Sequence, residues 1–194
     1  MIRALYDWMF RLAGGKHADK ALAGIAFAES SFFPIPPDVM LIPMVLADRK
    51  RWWKLALLCT ISSILGAVLG YAIGAFAFEW VGKPILNFYG KETAFLKLAE
   101  TYNGPSGLLA VFAGAITFLP YKLFTIFSGV TGMNFALFIS ISILGRGLRF
   151  FLVAFLLFKF GDPIRVFIEK RLSLFFFLGL ALLIIGFVAI KLFI

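Results

Sequence analysis

From Leu55 to Phe78 the chain runs for 24 residues without a charge. Coiled as an α-helix, that run is about 36 Å long, enough to cross the hydrocarbon of a bilayer with some tilt. The rest of the chain leaves no alternative solvent. Of 194 residues, 62% are hydrophobic and 15% charged, and phenylalanine alone supplies 25. No soluble core of this size hides so much apolar surface, so these residues predict an all-α integral membrane protein.

Two other segments have spanning length. Leu172–Ile190 is free of charge, whereas Phe135–Phe158 contains Arg146 and Arg149. About three full transmembrane helices are therefore expected. The apolar stretches 20–47 and 107–133 are different, because prolines interrupt both near their middles: Pro34, Pro36 and Pro37 in "PIPP", and Pro120 in "LPYK". Proline removes a backbone donor and disfavours helix at the residue before it. Inside a membrane such a break survives only where protein or a wet cavity surrounds it. Both stretches read as re-entrant helical hairpins that enter, turn at the prolines, and leave on the same side.

The remaining segments are amphipathic. Ile2, Leu5, Met9 and Leu12 oppose Arg3, Asp7 and Arg11, and Phe88, Phe95, Leu98 and Tyr102 oppose Lys91, Glu92 and Glu100. Those patterns suit helices lying in the membrane surface, and 162–171 is assigned the same way. The whole chain, 1–194, reads as one membrane domain. It comprises an interfacial helix (1–19), a hairpin plus span (20–78), an interfacial helix (83–103), a second hairpin plus span (107–158) and a terminal span (172–194). The first twenty residues lack the apolar run of a signal peptide.

With three crossings, 12 basic residues fall on the side of the N-terminus and the loop "DRKRWWK", against four on the other side. Positive residues stay cytoplasmic, which places the N-terminus inside. The net charge of +9 thus reflects topology and anionic headgroups, and nucleic acid is not an expected partner. Cys59 lies in an apolar stretch and His17 among Lys16, Asp19 and Lys20, so neither suggests a metal or a nucleophile, and no cofactor is expected.

The chain also resembles itself. "SILG" at 63–66 recurs at 142–145, each copy downstream of a proline-broken hairpin. One crossing separates the hairpins, so they enter from opposite faces. That order matches the inverted repeats of transporters, whose ligand sites lie where broken helices meet near the midplane.

Sorting the charges leaves Glu29, Asp38, Lys122, Arg146 and Arg149 outside the loops. Glu29 lies on the first arm of hairpin one, among Ser30 and Ser31, where a proton could enter along hydroxyls. Asp38 follows the turn, placed to receive Arg146 or Arg149. Ser142, Arg146 and Arg149 share one helix face, which must point at the hairpins and away from lipid. Two acids against three bases leave an excess of +1, so the five are candidates for proton coupling or ion pairing (Glu29, Asp38) and for anion binding (Arg146, Arg149, Lys122). Gly66, Gly70 and Gly74 form two small-xxx-small steps, suited to close packing against a helix of the same chain or, alternatively, a second copy.

At these residues the chain resembles the DedA superfamily, also called the VTT or SNARE-associated-domain family, and within it the YqaA-like branch. The pieces that carry the resemblance are "FAESSFFPIPPDVMLIPM", "GAVLGYAIG" and "FLPYKLFTIFSGVTGMNFALF". It implies a bacterial inner-membrane protein with two opposed re-entrant hairpins, in a family associated with moving lipids or polyprenyl-phosphate carriers between leaflets. That movement often requires a proton-motive force. The family's acids in the first hairpin correspond to Glu29 and Asp38. Its arginines around the second proline do not recur here, where Thr117 and Lys122 stand instead.

Three functions compete. A lipid translocase would hold a phosphate headgroup on the basic residues while the tails stay in the bilayer, with protons as a second partner. A proton-coupled transporter of a small soluble ion would use the same charges with a closed, wet path. A scaffold would use them only as ion pairs. An enzyme is not expected, because no histidine partners a serine and no paired-histidine metal motif is present.

Overall fold

The computed structural model describes residues 15–163 apart from 16, 34, 91, 118 and 162. The N-terminal surface helix except for its last residues, the 162–171 segment except for residue 163, the span Leu172–Ile190 and Pro34 lie outside the described residues. All regular structure among those described is helical: α1 (Ala18–Ser31), α2 (Asp38–Ala47), α3 (Trp52–Ala77), α4 (Lys83–Phe88), α5 (Glu92–Asn103), α6 (Pro105–Ile116), α7 (Tyr121–Val130) and α8 (Phe135–Phe160). Two helices are long and apolar enough to cross a membrane, Arg49–Phe88 and Phe135–Phe160.

The first of these is longer than the uncharged run predicts. A 3-10 turn at Arg49–Arg51 leads into α3, and a π-helical turn at Phe78–Gly82 carries it on into α4. Glu79 and Lys83, one turn apart and 2.7 Å from each other, let charge continue the helix on its exposed side. The 83–103 segment is accordingly two helices, with a turn at Gly90 (φ +61°), a conformation that glycine adopts without steric cost.

Contacts at both ends make α3 and α8 antiparallel. The Trp52 ring, at the start of α3, stacks on Phe158 at 5.7 Å near the end of α8. At the opposite end, Tyr71 donates to the Met133 carbonyl at 2.6 Å, just ahead of α8. The Asn134 side chain caps α8 by accepting from Leu137 N–H at 3.1 Å.

Two helix–break–helix units pack on this pair. In the first, the Phe32 and Phe33 N–H groups close α1 on the Ala28 carbonyl before the prolines end it. Asp19 at the start of α1 meets Arg51 just beyond α2 at 2.6 Å, so the unit leaves and returns at the Trp52 end of α3. In the second, Asn103 Nδ2, ahead of α6, donates to Thr131 O beyond α7 at 2.8 Å. This unit starts and finishes at the Tyr71 end. The breaks meet midway: Thr125 Oγ1 donates to Ser30 O at 2.9 Å, and Lys122 Nζ to Phe32 O at 3.3 Å.

Glycines permit that approach. A Cβ on Gly66 would strike the Phe27 carbonyl of α1, and one on Gly74 the Ile126 carbonyl of α7. Between them, Gly70 lies under both Ser30 and Thr125. Gly129 on α7 reciprocates against the Tyr71 carbonyl. The stripe is a seam within the chain.

The packing is reversed relative to a soluble protein. Leu65 on α3 is 56% exposed and Leu144 on α8 is 65% exposed, while Arg146 is 0% exposed. One buried apolar cluster gathers Leu22, Met40, Leu55, Phe150 and Leu157; another gathers Ala67, Val111, Tyr121 and Phe138. Along both long helices, the buried polar residues fall between these clusters.

Candidate functional site

The polar layer is built from four helices. Glu29, Ser30 and Ser31 come from the last turn of α1, Asp38 from the first residue of α2, Ser63 from α3, and Ser142, Arg146 and Arg149 from α8. All are buried. Their depth follows from the breaks: ending α1 at the prolines and restarting at Asp38 puts carboxylates at the middle of the bundle and not at its rim.

Two ion pairs form there. Arg146 Nη2 pairs with Glu29 Oε2, and Arg149 Nη2 with Asp38 Oδ2. Asp38 thus takes the second of the two arginines open to it, and the first goes to Glu29. Both acids belong to the first helix–break–helix unit and both arginines to the long helix after the second, so the charges bind these two parts of the chain to each other. Removing one partner of a buried pair strands the other charge, a loss of about 3–5 kcal/mol.

Arg146 is held on several sides. Its Nε donates to Ser63 Oγ at 2.6 Å. Its guanidinium lies over the rings of Phe150 (4.7 Å) and Tyr121 (4.9 Å), each a cation–π contact. Tyr121 in turn donates to Ser142 Oγ, and Ser142 to the Phe138 carbonyl at 2.6 Å. Ser30 Oγ lies 2.7 Å from Ser63 Oγ and donates to Glu29 Oε2 at 3.1 Å. Among the described residues, Arg146 Nη1 and Asp38 Oδ1 are buried without a hydrogen-bond partner.

Lys122 stands apart from this layer. It is half-buried at the start of α7, on the Phe32 carbonyl, with the exposed side chains of Phe32, Phe33 and Leu123 nearby in the chain or across that bond. Pro36, Pro37 and Pro120 occupy the breaks, where Pro37 caps α2 and Pro120 precedes α7. No group of three or more potential metal ligands occurs among the described residues.

The sequence points to the charges and to the neutral Ser30 and Ser142 beside them, but not to Ser63 and Tyr121. Ser63 and Tyr121 were hidden by their types, one in an apolar run and one beside a proline. A usable signal existed for the serine, because Ser63 and Ser142 both open the repeated "SILG". The repeat's glycines also match in role: Gly66 meets Phe27 on α1, and Gly145 meets Phe112 and Ala115 on α6, each on the first arm of its own unit.

Comparison with known proteins agrees with this picture. The VTT domain model matches residues 35–159. An uncharacterized protein of Haemophilus influenzae is 33% identical over 187 residues, covering 96% of each chain. An uncharacterized protein of Histophilus somni is 34% identical over 152 residues, covering 78% of each. No solved structure matches. A membrane-type helical bundle, a matched domain that contains Asp38, Arg146 and Arg149, and near full-length relatives place this chain in the VTT-domain, or DedA, family.

Proposed function

We propose that this protein moves a phosphate-bearing lipid between the leaflets of the bacterial inner membrane, with the layer around Arg146 as its headgroup site. On this reading the two helix–break–helix units are re-entrant hairpins of an inverted repeat. The end bearing Arg49–Arg51 and Lys54 faces the cytoplasm. The observation that carries the proposal is the position of the two arginine–carboxylate pairs, buried where the breaks meet, halfway along helices whose outer faces are apolar. Ionisable groups at such depth are costly and mark substrate or proton paths. Arginine suits a phosphate by charge-assisted, bidentate bonding. The carboxylates occupy the arginines when substrate is absent, and a proton on Glu29 eases their separation. A bundle this small leaves acyl or prenyl tails in the bilayer while only the headgroup enters the layer.

The test is leaflet exchange of fluorescent phosphatidylglycerol and of a polyprenyl phosphate in proteoliposomes, with folding checked separately. Arg146→Gln is expected to fold and to lose most exchange. Glu29→Gln is expected to lose proton dependence and to keep some downhill movement. Parent-like exchange by folded Arg146→Gln overturns the headgroup site, and exchange of neither lipid by the parent chain favours a small soluble anion.

A further inference from the structure

With the Ser30 hydrogen on Glu29, the hydrogen bonds around Arg146 run in one direction. Arginine nitrogens donate and never accept, and a serine hydroxyl has a single hydrogen. Because Arg146 Nε–H fills an acceptor position on Ser63, and Ser30 gives its hydrogen to Glu29, the hydrogen between the two serines belongs to Ser63. The result is a closed ring. Arg146 Nε donates to Ser63, Ser63 to Ser30, and Ser30 to Glu29 Oε2, which also receives Arg146 Nη2.

The guanidinium therefore has two functional edges. Its Nε edge is fixed to α3 through Ser63. Its outer edge carries Nη2, which donates to Glu29 and more weakly to Ser30 Oγ at 3.4 Å, and Nη1, buried and without a hydrogen-bond partner among the described residues. When Glu29 yields, Nη1 and Nη2 become a two-pronged donor matched to an anion that offers two oxygens. The Nε anchor is the shortest Arg146 hydrogen bond that does not involve Glu29, and without it the side chain has several rotatable bonds with which to follow Glu29. Phe150 and Tyr121 restrict the plane of the group, but neither fixes its rotation within that plane.

We propose that Ser63 is a positioning residue: it holds Arg146 through Nε while the outer edge exchanges Glu29 for the two oxygens of a phosphate. This rests on the headgroup reading above and adds to it a pivot on the opposite repeat. It also assigns the first "SILG" serine a role distinct from that of Ser142, which accepts from Tyr121.

The experiment uses the full chain in detergent and in proteoliposomes. Binding is read as thermal stabilisation across a titration with dihexanoyl phosphatidylglycerol, and separately with inorganic phosphate, so that a lipid headgroup and a free anion are told apart. Transport is read as the concentration dependence of phosphatidylglycerol exchange. Ser63→Ala is expected to raise the half-saturating lipid concentration about tenfold, the scale of one charge-assisted hydrogen bond, with a smaller change in maximal rate. Ser63→Thr keeps the hydroxyl and is expected to recover most of the affinity. An unchanged half-saturation in Ser63→Ala overturns the pivot, and so does an equal defect in both variants, which would reduce Ser63 to packing. If phosphate and lipid both fail to stabilise the parent chain, it is the headgroup reading that falls, and the hydrogen-bond ring is then a structural device only.

Discussion

The two ion pairs look alike but make different demands on the chain. Asp38 opens α2, and Arg149 ties that helix to α8, so this pair holds the second arm of the first unit in place. Arg146 is held by Ser63 and two aromatic rings in addition to Glu29. Loss of Asp38 therefore strands the buried charge of Arg149, which also lies over the Phe150 ring, and releases the start of α2 as well. Asp38→Asn is expected to lower unfolding stability by about 3–5 kcal/mol, and Glu29→Gln by less. Thermal unfolding in detergent compares them, and an equal loss in both would show that the extra contacts to Arg146 contribute nothing. The charges themselves were legible in the sequence, because an arginine inside a spanning run has no other reading. Their pairing was not, since Asp38 lies within reach of two arginines three residues apart, and only the pitch of α8 against the broken unit decides between them.

Among the helices, glycine has opposite effects at two kinds of position. Gly66 and Gly74 let backbones of α1 and α7 lie directly on α3, and any Cβ there meets a carbonyl that cannot move without its helix. A Cβ on Gly24, on the exposed side of α1, would meet nothing within 4 Å. Gly66→Ala is expected to destabilise the protein by about 1–3 kcal/mol through overpacking. Gly24→Ala is expected to be neutral or to stabilise by up to about 1 kcal/mol through helix propensity. Denaturation of both variants, side by side, checks the contrast; a destabilising Gly24→Ala together with a silent Gly66→Ala would reverse the assignment of the seam. The spacing of these glycines was readable, and so were the proline breaks. The extent of the long helix was not: charge at Glu79 and Lys83 ended the apolar run at Phe78, yet an i,i+4 pair on an exposed face lets the helix continue to Phe88.

Across the whole molecule, the two units return to opposite ends of α3, and the ends differ in charge. Arg49, Lys50, Arg51 and Lys54 cluster with Trp52 and Trp53 at one end. With Cys59 replaced, a cysteine at Lys50 should react with impermeant thiol reagents only from the cytoplasmic side, and one at Glu100 only from the other side. Labelling of both from one side would reject the orientation. The order of elements along the chain was enough to anticipate this opposition of units, since one spanning run separates the two proline breaks. The meeting of the breaks was anticipated as well; what sequence could not supply is the contact that makes it, Thr125 Oγ1 on the Ser30 carbonyl across 95 residues of chain.

The distribution of charge between the repeats has a consequence for how such a chain could have arisen. Carboxylates come from the first half and guanidinium groups from the second, while the positions of the first "SILG" helix that correspond to Arg146 and Arg149 are Ala67 and Gly70. A symmetric ancestor made of two identical halves would have had to carry both signs in each half, or neither. Once the signs were divided, each half became the counter-ion of the other, and two copies of the same half could no longer substitute for the pair. With the signs divided in this way, each half is an unlike partner to the other, and a symmetric pair of identical halves could not supply the same two ion pairs.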